Sequence, residues 1–211
     1  MIDLKHRIVF IHIPKTGGTA MNRYFMDIRD LKPKDAAAIG VFRNHRDSSL
    51  ERANSHNTLA MYERFYFGGP VPDDFTIFTV VRHPLDRYWS EFRYRRFPGR
   101  KKFPVGLRLP LGWFERLASA EIDYLKDFNC HLRPQAGFVS GASADRVRVL
   151  KYETLADDFD AFRREHDLPV TKLAKLNVSR RAGSTPPERV REVVRRRYAE
   201  DFERFDYSMV P

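Results

Sequence analysis

Two short stretches hold the residues best suited to chemistry. The first, "FIHIPKTGGTAMNRYF" (Phe10–Phe25), sets an apolar run against a tight Lys-Thr-Gly-Gly-Thr turn and then resumes at helical spacing. A buried strand, a glycine turn and a helix together build an anion site. The helix N-terminus leaves backbone N–H groups unpaired, and its dipole favours negative charge there. Gly17 and Gly18 let the main chain wrap closely around an anion, Thr16 and Thr19 add hydroxyl donors, and Lys15 brings a point charge to the mouth. The order differs from a nucleoside-triphosphate loop, G-x-x-x-x-G-K-[ST]. Lys15 precedes the glycines, and no later apolar run ends in an Asp suited to magnesium. A glycine-started helix with no ligand is the plain alternative.

The second stretch is "VRHPLDRYWSEF" (Val81–Phe92), in which Arg82 closes an apolar run and Ser90 follows eight residues later on a helix. Both can point to the carboxyl edge of a sheet, where open α/β sheets bind ligands. An arginine fork and a hydroxyl converging on one spot hold a phosphate through charge-assisted hydrogen bonds. An ion pair of Arg82 with Asp86 beside an exposed Ser90 is an equally open reading.

These residues need elements to position them. Ile8–Ile13 is apolar except for His12, as in a parallel strand covered on both faces. Ala20, Met21, Tyr24, Phe25 and Ile28 recur as one helix face. A short strand is expected near Ile39–Phe42 and a helix over Asn57–Phe67, broken by Gly68-Gly69-Pro70. Phe75–Val81 is a second buried strand, and Pro84 opens a helix with Leu85, Tyr88, Trp89 and Phe92 on its apolar face. Arg93–Arg108 is basic, carries no acid, and is expected as an exposed loop. Further expectations are a helix over Trp113–Phe128, a strand at Val147–Lys151, a helix from Thr154 as N-cap to Glu165, and a last helix over Pro187–Phe205. Recurrent strand–loop–helix units define an α/β fold: one P-loop-like domain over residues 1–211, with a central, mostly parallel sheet flanked by helices.

Composition bounds the rest. The chain has 211 residues, 42% hydrophobic, and a formal net charge of +10 from 38 Lys+Arg against 28 Asp+Glu. That balance fits an anionic partner, although a solvated basic surface accounts for charge alone. The single cysteine, Cys130, excludes an internal disulfide framework. No apolar run reaches the length of a membrane span, so a cytoplasmic protein is expected.

Taken together, the two stretches resemble the sulfotransferases that use 3′-phosphoadenosine 5′-phosphosulfate (PAPS), most nearly the carbohydrate-type branch, sulfotransferase family 2. "HIPKTGGT" (His12–Thr19) is similar to their 5′-phosphosulfate loop, and "VRHPLDRYWSEF" to their 3′-phosphate motif. "SHNTLAMYERF", "NCHLRPQ", "VLKYETLADDF", the "LNVS" turn and "YAEDFERFDY" extend the likeness along nearly the whole chain. The resemblance implies that Lys15 neutralises charge at the 5′-phosphate and the bridging oxygen. It places Pro14, Thr16, Gly17, Gly18 and Thr19 around the 5′-phosphate, and Arg82 and Ser90 on the 3′-phosphate. Arg180 and Arg181, after the "LNVS" turn, are further candidates for the 3′-phosphate or adenine, with a solvated surface as the alternative. It implies transfer of a sulfonate to a hydroxyl of a carbohydrate or glycolipid, release of adenosine 3′,5′-bisphosphate, and no metal. Any membrane contact is then peripheral, through the acceptor.

The acceptor hydroxyl needs a base, and histidine suits the task because its ordinary pKa lies near neutrality. His56 is favoured. It stands just before an expected helix, whose dipole disfavours the charged ring, and it matches the family's histidine ahead of the second strand. His131 and His45 are the alternates; His12 reads as a packed strand residue and His83 as facing away. Two other functions remain at this point. One is a P-loop nucleotide or small-molecule kinase, against which the lysine order argues. The other is a basic nucleic-acid-binding module working through Arg93–Arg108, for which no known reader motif is present.

Overall fold

The structure is a computed structural model that describes residues 1–32, 35, 39, 56–96, 112, 130–171 and 186–209. The expected helix over Trp113–Phe128, most of the strand at Ile39–Phe42, and residues 97–108 lie outside them. The chain divides into two compact units, Met1–Val81 with Gln135–Arg180, and Arg82–Pro134 with Arg181–Pro211.

Among the described residues the first unit is built on four strands in the order β1 (Ile2–Asp3), β2 (Ile8–Ile11), β3 (Thr76–Val81) and β4 (Val147–Lys151). β1 is antiparallel to β2, while β2–β3 and β3–β4 are parallel, with Phe10 opposite Phe78 and Val80 opposite Leu150. The sheet is therefore mostly parallel, with β2 and β3 buried along nearly their whole length and β4 exposing Arg148 and Val149. β2 is two residues shorter than its apolar run: His12 and Ile13 already belong to the turn.

Two helices cover one face of this sheet. α1 (Gly18–Ile28) buries Ala20, Met21, Tyr24 and Phe25, and begins at the second glycine itself. α4 (Leu155–Glu165) buries Leu155, Phe159 and Phe162. Thr154 sits at its N-cap but makes no capping bond; its hydroxyl donates instead to Asp158 (2.9 Å), which also accepts from the Lys151 amide (3.0 Å). Aromatic rings fill the layer between, with Phe78 4.8 Å from Phe10 and 4.6 Å from Phe162, and Tyr24 edge-on to Phe159. Ile39, the one described residue of the expected short strand, is buried in this cluster.

The helix expected over Asn57–Phe67 forms as one α-turn, α2 (Leu59–Tyr62), capped by the Thr58 hydroxyl and widened into a π-turn at Glu63–Phe67. Gly68 ends it at φ 69°, a conformation that suits glycine. The buried Glu63 carboxylate accepts from the amides of Ala142 (2.9 Å) and Ser143 (2.7 Å), and so ties the turn before β4 to this helix.

In the second unit α3 (Pro84–Arg96) packs against α5 (Glu188–Arg197). Tyr88, Trp89, Phe92, Leu132, Val190, Val194, Tyr198 and Phe202 form its core. α3 extends to Arg96, so the first four residues of the basic segment expected as a loop continue the helix. The closing helix is divided at Tyr198, whose phenol donates to the Leu132 carbonyl (2.8 Å), and α6 (Ala199–Arg204) follows. Buried Arg87 holds the turn opposite, donating from Nη2 to the carbonyls of His131 and Arg133, both at 2.9 Å. Among the described residues no helix is long and apolar enough to cross a membrane.

Replacing Glu63 by alanine strands two amide donors that the carboxylate now holds. We expect Glu63→Ala to lower unfolding free energy by about 2 kcal/mol or more in urea titration; a change below about 0.5 kcal/mol would show that water replaces the carboxylate.

Candidate active site

In the first unit β2, β3 and β4 are parallel and end at one edge of the sheet, at Ile11, Val81 and Lys151. The turn of residues 12–17 leaves β2 there. Pro14 fixes its own φ, and Lys15 takes φ 69°, a left-handed conformation uncommon outside glycine. Gly17 is left-handed as well, at φ 88°, while Thr16 between them is not. Such alternation turns successive amides to one side and makes an anion-binding concavity. It opens directly into α1, whose N-cap, Gly17, supplies no side-chain cap and whose first turn holds no acid. Main-chain donors and helix dipole thus face the same point.

Gly18 is required by contact, and Gly17 by its backbone conformation together with a close contact. A Cβ on Gly18 would stand 2.0 Å from His12 Cδ2 and 2.2 Å from its Nε2. A Cβ on Gly17 would meet the Tyr152 ring and Leu155 at 3.3 Å, besides the strain of its left-handed φ. Tyr152, the first residue after β4, therefore braces the turn from below. Its position directly after the third parallel strand is the signal in the sequence that marks it.

Thr16 is fully buried, and its hydroxyl donates to the Ile13 carbonyl (2.9 Å). The hydroxyl read from the sequence as an anion donor gives its one proton to the Ile13 carbonyl in this structure and so holds the turn closed. Thr19 is exposed on the first turn of α1, and Lys15 is half-buried.

His56 lies against this turn. Its Nδ1 is 2.9 Å from the His12 carbonyl, and the two imidazole rings meet edge-on at 4.5 Å. A carbonyl only accepts, so Nδ1 carries the proton and Nε2 is the lone-pair nitrogen of the neutral ring. His12 is a packed residue stacked on Phe10, as expected, and through its carbonyl it also orients its neighbour.

In the second unit Arg82 is the residue after β3, and Ser90 stands within α3; both are half-buried. His131 lies 3.0 Å by Nδ1 from the Glu91 carboxylate, which is 2% exposed. His83 donates from Nε2 to the Ser208 carbonyl (3.1 Å) and packs on Phe202 and Tyr207. His45, Arg180 and Arg181 lie outside the described residues. Among the described residues no group of three or more His, Cys, Asp and Glu side chains is placed to hold a metal.

Fold and turn define an α/β protein that presents a main-chain anion cradle at the head of its first helix. The model of the sulfotransferase family matches residues 1–208, and the chain belongs to that family. No curated protein and no solved structure matches the chain. Membership carries the general activity, transfer of a sulfonate group.

Gly18→Ala should lower the melting temperature by about 2 °C or more, because overpacking costs on the order of 1–3 kcal/mol and His12 must move. Thr19→Ala, one residue on and exposed, should leave it within about 1 °C. Equal melting temperatures for the two variants would show that His12 does not rest on the turn.

Proposed function

We propose that the chain is a single sulfotransferase domain that moves a sulfonate from PAPS to a hydroxyl of a carbohydrate or glycolipid acceptor. The observation that carries this reading is the cradle from Lys15 to Gly18 with the oriented His56 beside it. The donor set suits a 5′-phosphosulfate: main-chain amides, a helix N-terminus and one lysine, with no carboxylate in the first turn of α1. Arg82 and Ser90, matching the family's second motif, are assigned to the 3′-phosphate, which sets PAPS apart from ADP and ATP.

Bound PAPS supplies an activated sulfonate on a phosphosulfate linkage. His56 accepts the proton of the attacking hydroxyl at Nε2, while its Nδ1–H stays on the His12 carbonyl. As the S–O bond to the acceptor forms and the bond to the bridging oxygen breaks, Lys15 and the amides of the turn stabilise the charge gathering on the leaving phosphate. Positioning and charge neutralisation thus carry the reaction, much as in phosphoryl transfer. Pro14 shapes the turn and Thr19 stands at the rim. His131, tied to Glu91, is the alternate base.

Adenosine 3′,5′-bisphosphate should raise the melting temperature well above the shift produced by ADP or by ATP with magnesium. Arg82→Ala should abolish that preference, and Lys15→Ala should abolish transfer with the fold intact. A larger shift with ATP and magnesium, lost in Lys15→Ala, would favour a nucleotide kinase instead.

His56→Ala should lower kcat by about 10²–10⁴-fold with bisphosphate affinity unchanged. Equal turnover in variant and wild type moves the base to His131 or His45.

A further inference from the structure

Asn57 follows the assigned base and is 1% exposed. Neither its Nδ2 nor its Oδ1 has a hydrogen-bond partner. An amide brings two donors and an acceptor, and burying all of them unpaired is unfavourable. Nothing about local structure demands the amide. The cap of α2 is made by Thr58, and His56 makes the contact to His12. Asn57 is therefore a polar group kept in place at a cost to stability, beside the histidine that faces the turn.

We propose that Asn57 binds the acceptor, pairing with a second hydroxyl on the carbon next to the one that attacks, so that the site selects a polyol such as a sugar ring. This rests on the sulfotransferase reading above. The chemistry of the amide chooses among the ligands. Phosphate and sulfonate oxygens only accept, and would leave Oδ1 facing negative charge. An adenine edge offers one donor and one acceptor, but lies at the far end of the nucleotide from the group transferred. Asn57 is one residue, about 3.8 Å between Cα atoms, from the proposed base. A hydroxyl both donates and accepts, so one vicinal hydroxyl answers both halves of the amide. The amide is shielded from water in the free chain, so the contact forms by a rotation of the Asn57 side chain as the diol enters, driven by its unmade hydrogen bonds.

The test uses labelled PAPS, a panel of p-nitrophenyl glycosides as polyol probes, and benzyl alcohol as an acceptor with no second hydroxyl. Asn57→Leu keeps the branched heavy-atom framework and removes the amide. It should raise the melting temperature by about 2–4 °C, since an unpaired buried polar group is replaced by an apolar one. It should cut kcat/KM for the best glycoside by about 10–100-fold, change that for benzyl alcohol by less than about threefold, and leave the affinity for adenosine 3′,5′-bisphosphate within about twofold. Asn57→Ala serves as the second variant, with the same loss of glycoside selectivity. Melting temperatures that fall in both variants make Asn57 structural and overturn the proposal. Weakened bisphosphate binding assigns the amide to the nucleotide and overturns it too, as does an unchanged preference for glycosides over benzyl alcohol. Wild-type protein that binds the bisphosphate but labels no glycoside removes the polyol assignment and leaves the donor reading standing. Wild-type protein that fails to bind the bisphosphate removes the donor reading itself.

Discussion

The contact between the His12 imidazole and Gly18 is the constraint on which the candidate site depends. A ring held within van der Waals reach of a main-chain carbon admits no side chain at that position. The same residue offers its carbonyl to His56 Nδ1. One residue at the end of β2 thereby fixes two things: how tightly the turn closes into α1, and which nitrogen of the neighbouring histidine can take a proton. The anchor beneath it is ordinary packing. Phe10 stacks on both His12 and Phe78, so the ring is continuous with the aromatic layer that joins sheet to helices. Moving His12 would disturb that layer, the turn and the histidine together, and this coupling makes the geometry hard to relax piecemeal.

The elements that proved legible in the sequence were those with strong periodic or turn chemistry. β3 and β4 stand where their apolar and β-branched residues place them, α1 follows Gly17, α3 opens at Pro84 and α4 follows Thr154, as such residues dictate. What the sequence concealed was of a different kind. The π-turn after α2 and the division of the last helix at Tyr198 answer to tertiary partners, the amides bound by Glu63 and the carbonyl of Leu132. Local propensity carries no information about those. The helical turn at Arg93–Arg96 was missed for a related reason: a run of basic residues reads as a break in amphipathicity, although α3 is already anchored by its earlier apolar face.

The site was legible in its residue types and less so in their roles. Lys15, Gly17 and Gly18 were readable as candidates from the turn that follows a buried strand, and His56 from its place before an expected helix. The duty of Thr16 was not, since a hydroxyl next to an anion loop and a hydroxyl that closes that loop have the same sequence signature; only the bond to Ile13 separates them. Tyr152 was invisible for want of a local motif. It matters because β4 is parallel to β3, a fact of topology that brings a residue distant in sequence under Gly17.

The order of residues in the turn explains why a lysine, and not a glycine, takes the strained corner. A left-handed φ at a non-glycine residue costs on the order of 1–2 kcal/mol. Glycine at position 15 would remove that cost and would also remove the charge. The strain is held by features on both sides: Pro14 sets the approach, and the Thr16 hydroxyl closes the turn onto Ile13. Because the corner is held by its neighbours, position 15 keeps its left-handed backbone and still carries a lysine. A loop with the lysine after the glycines achieves its charge from within the helix. Here the charge arrives from the strand side, in a turn whose first turn of helix contains no carboxylate to compete with it.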